Sequence, residues 1–297
     1  MSRPLRLLMA QQRAQNLLRE LGINELPVDP VAIAARHDII VEAKPDTAQG
    51  VSGMLLRHGN TFGILYATHI ESEGFRRFSI AHELGHYFLD GHIDHILPDD
   101  GFHASHAGFV SGDPYELEAD QFAAGLLMPA TLFRRALGKH NPGFDVVKSV
   151  AATCRTSLTA TALRYAELTE DAVAVILSTG QTIDFCRLSG TMKSLREITW
   201  LKKGMAVPRR TVTARLNADP ARVRSADRDE EEIDICEWLG GNRSVSATEE
   251  VIGLGSYGKT LTVIACPTLV EETFRDEDDD DEDNEDLIES WTPRFRR

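Results

Sequence analysis

The chemistry of this chain concentrates in five residues, His82-Glu83-Leu84-Gly85-His86, set in the run Arg77-Phe-Ser-Ile-Ala-His-Glu-Leu-Gly-His-Tyr-Phe-Leu-Asp90. Histidines four apart on a helix point the same way, because 3.6 residues make a turn. Two imidazoles so placed can hold one zinc ion, with Glu83 beside the metal but not bound to it. That leaves a carboxylate free to take the proton of a metal-activated water, which is the requirement of metal-dependent hydrolysis. Three fixed positions are a weak pattern by themselves, so the setting decides. Phe75, Phe78, Ala81, Gly85 and Phe88 recur at helical spacing and form an apolar stripe, with the histidines on a neighbouring face.

A catalytic zinc site takes three protein ligands and keeps one position open. His92 stands six residues after His86, but an all-histidine site of that spacing needs a glycine three residues after His86, where Leu89 stands. Asp90 would crowd the ion from the same helix, and His95, His103 and His106 have no diagnostic spacing. Glu116, in Glu116-Leu-Glu-Ala-Asp120, is preferred. It would approach from a second helix, and Asp120, four residues on, could accept the other imidazole N–H of a zinc-bound histidine and fix its tautomer. Glu118 lies about 200° around that helix from Glu116, so both cannot face the metal.

The elements that must position these residues follow from periodicity and punctuation. Residues 1 to about 22 read as an amphipathic helix, followed by a short helix after Pro30 and a strand at 39–43. Residues 50–57 and 61–66 flank His58-Gly-Asn as a β-hairpin. Its exposed edge could pair with an extended peptide and present the scissile bond to the metal. The zinc helix runs from a Ser72 cap to about Asp90, and 91–108 read as a loop rich in glycine, histidine and aspartate. A second helix at 115–128 ends at Pro129. Helices at 145–153 and 157–168, joined by a short turn, outline a helix-turn-helix, an arrangement commoner as simple packing than as a groove reader.

Two motifs in this order, Arg77 to His86 and Glu116-Leu-Glu-Ala-Asp-Gln-Phe-Ala-Ala-Gly-Leu-Leu-Met-Pro129, resemble the ImmA/IrrE family of zinc metallo-endopeptidases. The likeness spans about residues 10 to 170 and includes Gly50-Val-Ser-Gly-Met and Ser157-Leu-Thr-Ala-Thr-Ala-Leu-Arg-Tyr. It implies His82, His86 and Glu116 as ligands and Glu83 as general base. Members cleave transcriptional repressors or anti-regulators in the bacterial or phage cytoplasm, often under stress, and many adjoin or are fused to an Xre-type repressor. This chain has no clear N-terminal repressor domain, so the resemblance implies a separate protein substrate, a repressor or antitoxin-like regulator.

The chain has 297 residues, 42% hydrophobic and 26% charged, an ordinary globular composition. No apolar run approaches the roughly 20 residues of a membrane span, and no signal peptide is evident, so a cytoplasmic protein is expected. Cys154, Cys186, Cys236 and Cys266 lack metal-site spacing and read as buried free thiols. Net charge is −14, of which −9 falls on 271–297 around Asp276-Glu-Asp-Asp-Asp-Asp-Glu-Asp. Such a tail is expected to be disordered. From Ala172 on, strands dominate: 172–178, 182–187, 233–239, 244–252 and 259–266. Nine cations between Lys193 and Arg224 mark a basic segment, a solvated face or an acidic-partner patch; nucleic acid as a partner is not favoured. The expected fold class is α+β: a zincin-like metalloprotease domain over 1–140, a helix-turn-helix-like segment over 141–170, a β-rich domain over 171–270 and the tail over 271–297.

Overall fold

A computed structural model describes residues 3–44, 51–68, 72–97, 99, 101–106, 113–138, 140–195, 198–241 and 244–267, with the His106 side chain also left out. The acidic tail lies outside them. The chain divides into two compact units, 1–136 with 150–160, and 137–149 with 161–297. The segment 141–170 is therefore shared between the units and does not stand as one of its own.

The first unit begins with helix α1, Arg3–Glu20, and α2, Pro30–Ala35, whose N-terminal N–H groups are capped by the Asp29 carboxylate. Four strands follow in the chain: β1 (Ile40–Lys44), β2 (Val51–His58), β3 (Thr61–Ala67) and, after helices α3 (Glu73–Phe88) and α4 (His92–Ile96), β4 (Gly101–His106). They form one sheet in the order β1-β3-β2-β4, with β1 parallel to β3 and the other pairs antiparallel. Both strands of the expected hairpin thus lie inside the sheet, and among the described residues its edges are β1 and β4. The hairpin edge read from sequence is not available; β4 covers it. The region 91–108, expected as loop, holds α4 and β4, because glycine, histidine and serine have weak strand preference and only the pairing with β2 makes them one.

Ser72 caps α3 as expected, accepting from Phe75 N. The sheet backs one side of α3, and α5 (Pro114–Leu127) crosses another, at Gly85. A Cβ at Gly85 would stand 3.0 Å from the Ala119 Cα and 3.1 Å from its carbonyl oxygen, so glycine is what lets the two helix backbones approach. On its far side α5 meets α1, again through a glycine: a Cβ at Gly125 would stand 3.1 Å from the Gln11 Cα and carbonyl oxygen. Leu17, Ile33, Leu55, Ile64, Leu84, Phe122, Leu126 and Phe133 are fully buried in this unit. Helix α6, Ala130–Leu137, was not anticipated in the sequence.

Helices α7 (Phe144–Cys154) and α8 (Leu158–Leu168) match the expected pair. Arg164, the one cation that α8 could offer a DNA groove, is 3% exposed and ion-paired with Glu167, and Thr161 is fully buried.

The second unit is built on a five-stranded antiparallel sheet, β6-β5-β9-β8-β7, with β5 at Ala172–Thr179 and β6 at Thr182–Leu188. Short helices α9 (Gly190–Lys193), α10 (Val212–Asn217) and α11 (Pro220–Arg224) precede β7, Arg228–Asp234. Helix α12, Cys236–Leu239, occupies part of the strand expected at 233–239, and β8 (Ser246–Gly253) and β9 (Thr260–Cys266) complete the sheet. Trp238 and Leu239 explain the difference. They anchor a core with Ile176, Ile264 and Met192, and a helical turn lets both point inward at successive positions, which a strand cannot do. Glu249 of β8 is wholly buried and caps α10, accepting from Val212 N, Thr213 N and the Thr213 hydroxyl at 3.2, 2.8 and 2.7 Å. The basic segment is partly neutralised by its neighbours: Arg215 pairs with Glu231, and Arg222 with Asp227 and Asp229. The four cysteines are free thiols; Cys236 is only half-buried and the others are buried.

Candidate metal centre

Helix periodicity separates the two jobs on α3. His82 and His86 face α5, while Glu83, about 100° around, faces the sheet. From α5, Glu116 meets both histidines: its Oε2 lies 3.3 Å from His82 Nε2 and its Oε1 3.3 Å from His86 Nε2. The two Nε2 atoms are 3.1 Å apart. These three side chains can each aim one ligand atom at a common point. For bonds of about 2.0–2.1 Å to a tetrahedral ion, ligand atoms stand about 3.3 Å from one another. The observed triangle has that size, so the residues present fit a small divalent cation.

The remaining ring nitrogens are also held. His82 Nδ1 lies 2.8 Å from Asp120 Oδ1, the partner expected one turn after Glu116. His86 Nδ1 lies 3.1 Å from His92 Nδ1, and His92 Nε2 lies 3.4 Å from Glu118 Oε2. His92 is therefore outside the ligand triangle, as its spacing indicated, but it is fully buried against the ligand His86. Gly91, at φ 78°, turns the chain back so that α4 starts beneath α3. The glycine that does this stands two positions after the one sought at 89. His103, on β4, brings its Nε2 to 2.9 Å from Glu116 Oε1. His95 stacks on the Tyr115 ring, at 3.9 Å between centroids, away from the triangle. Of His95 and His103, the loop histidines whose side chains are described, His103 has a place at the site, and the pairing of β4 with β2 reveals it.

Charge in this pocket is strongly biased. Burial opposes a charge on His82, yet hydrogen bonds with Asp120 and Glu116 hold its pKa well above the usual histidine range. Burial pushes His86 down to about 3. Burial would raise Glu116, but hydrogen bonds from His103, His82 and His86 prevail and hold it far below the carboxylate range. Glu83 is 0% exposed, and burial raises it to about 7, countered mainly by His82 and Ser105. Among the described residues neither of its carboxylate oxygens meets a donor in full hydrogen-bond geometry, although the buried Ser105 hydroxyl stands close enough to favour its charge. A fully buried carboxylate left without donors costs several kcal/mol unless something else occupies the space. Gly53 of β2 lets it lie there: a Cβ at that position would sit 2.6 Å from Glu83 Oε1.

Comparison with known proteins follows the same lines. The family model for M78 peptidases, described as an IrrE N-terminal-like domain, matches residues 34–165, which hold every residue of the triangle. That match agrees with the ImmA/IrrE resemblance of the two motifs. No curated protein matches the chain. Among solved structures, this chain is similar to a Mycobacterium tuberculosis transcriptional regulator, with a TM-score of 0.53 and 17% identity over 87% of this chain and 76% of that one. At that identity the likeness concerns the fold alone, a mixed α and β architecture. Among the described residues no helix is long and apolar enough to cross a membrane.

Proposed function

We propose that this chain is a zinc-dependent endopeptidase of the M78 kind and of zincin-like architecture that cleaves a regulatory protein in the cytoplasm, with His82, His86 and Glu116 as the ligands. The observation that carries the reading is the triangle of His82, His86 and Glu116 beside the buried carboxylate of Glu83. A divalent ion held by the triangle would polarise a scissile carbonyl and activate water. The chain's own groups supply the rest. Glu83, held against β2, takes the proton of the attacking water and returns it to the leaving amine. Asp120 fixes the His82 ring by its bond to Nδ1.

Substrate docking falls to β4 and not to the hairpin. β4 is an edge strand of its sheet and carries His103 and Ser105 toward Glu116 and Glu83. An extended segment adding to that edge would have its backbone fixed by main-chain bonds. His103 is then the side chain best placed to donate to a developing oxyanion, because it stands on the docking strand beside the ligands. The substrate class follows the family resemblance: a transcriptional repressor or antitoxin-like regulator.

The test is co-expression of the wild type or Glu83→Ala with a repressor encoded beside the gene, scored by new N-termini. Cleavage by the wild type alone is expected. Equal cleavage in Glu83→Ala would overturn the role of Glu83.

A further inference from the structure

A zinc-bound histidine is oriented by whatever takes its second ring proton, usually a carboxylate or a backbone carbonyl. His82 follows that rule through Asp120. His86 does not: its Nδ1 faces a second imidazole, His92. With Nε2 turned to the ligand triangle, neutral His86 carries its proton on Nδ1 and must donate it. His92 Nδ1 is then the acceptor, which places the His92 proton on Nε2, where Glu118 Oε2 stands 3.4 Å away. Glu118 in turn lies 2.5 Å through Oε1 from Arg6 Nε of α1.

The surroundings leave this chain of groups little freedom. His92 is 0% exposed, and the Tyr115 ring closes over it edge-on at 4.9 Å. The same ring takes the Arg6 guanidinium at 5.5 Å on its face and His95 in a stack. Glu118 is 9% exposed, so a charged carboxylate there needs the arginine. Glu118 lies about 200° around α5 from Glu116 and meets His92 and Arg6, which gives the second glutamate of Glu116-Leu-Glu a separate task. Arg6 also lies outside the stretch 34–165 that matches the M78 model.

We propose that Arg6, Glu118 and His92 form a positioning relay that fixes the tautomer and orientation of His86, so that metal affinity in this chain depends on a residue of its N-terminal helix. The proposal rests on the metal-site reading above. It also assigns Arg6 and α1 a part in the site beyond packing. Glu118 sets the direction of every proton in the relay, since a carboxylate can only accept. Removing either imidazole or carboxylate leaves the His86 N–H buried and without a fixed acceptor.

The experiment uses the full-length protein and zinc itself. Zinc dissociation constants are measured by competition with a chromogenic chelator for the wild type, His92→Leu, His92→Gln, Glu118→Leu and Arg6→Gln. Metal-free unfolding is recorded in parallel. His92→Leu and Glu118→Leu are expected to weaken zinc about 10–100-fold, the range for lost partners of metal ligands. Arg6→Gln, one step further out, is expected to weaken it less. His92→Gln keeps an acceptor and a donor, and should recover most of the affinity that His92→Leu loses, a rescue that a merely structural role would not produce. Side-chain nitrogen NMR should show His92 protonated on Nε2, and Glu118→Leu should disturb that state. Wild type that binds zinc while the leucine variants bind within threefold of it overturns the relay alone. Wild type that binds no zinc overturns the relay and the metal site together.

Discussion

Gly53→Ala separates the placing of Glu83 from the holding of the metal, because it changes no ionisable group and no ligand. The Gly53 backbone is outside the left-handed region, so alanine is allowed by conformation. Its Cβ would nevertheless stand 2.6 Å from Glu83 Oε1 and 3.2 Å from Cγ, where ordinary contact begins at 3.4 Å. The carboxylate must therefore retreat by about 0.8 Å, and a displacement of about 1 Å at a reacting group costs on the order of 100-fold in rate. Cleavage is expected to fall about 30–100-fold, or about 2–3 kcal/mol of transition-state stabilisation. Stability should move less. Alanine in place of glycine restricts the unfolded chain by about 0.4–1 kcal/mol, against an overpacking cost of about 1–3 kcal/mol. The assay is the rate of the Glu83-dependent cleavage product, with zinc stoichiometry and thermal unfolding measured on the same preparation. A rate within twofold of wild type, with zinc bound, would show that β2 does not place the base. Parallel loss of zinc would move the fault from the base to the metal site.

Gly85→Ala pushes a methyl against the Ala119 backbone at 3.0 Å, where neither helix can yield cheaply. It should lower the stability of the metal-free protein by about 1–3 kcal/mol in denaturant titration, and an unchanged midpoint would refute the close crossing. Chelating the metal should lower the melting temperature by about 5–10 °C if free zinc had stood near a hundred times its dissociation constant, and added zinc should restore it. No change on chelation would deny that folding of the first unit is linked to the ion. In the second unit, Glu249→Ala leaves two N–H groups and a hydroxyl at the start of α10 without their buried acceptor. A loss of roughly 3–5 kcal/mol is expected, with Glu249→Gln milder; equal stability of all three proteins would refute the cap.

Much of the site was legible in sequence because its parts repeat at helical spacing. His82 and His86 must share a face if residues 73–88 are helical, and Glu83 must then point elsewhere; no tertiary information enters that deduction. The same reasoning put Glu116 and Asp120 on one face of a second helix and set Glu118 apart. Strand alternation likewise located β2, β3, β5, β6, β8 and β9, and turn residues bounded them. What spacing cannot supply is which helices and strands lie side by side.

Three features were decided by that. Strand β4 has no strand-like composition, yet pairing along β2 makes it the edge and carries His103 to Glu116. His92 looked disqualified because glycine was absent at 89, and the left-handed turn at Gly91 instead tucks it under His86 as an orienting group. Residues 236–239 read as strand until the core of the second unit requires Trp238 and Leu239 to point inward together. The sequence by itself determined which atoms can act on one metal, since that is a matter of period along a single chain. Tertiary structure decided which strands form the edges of the sheet and which imidazole lies against His86, since hydrogen bonds between segments distant in sequence leave no period to read.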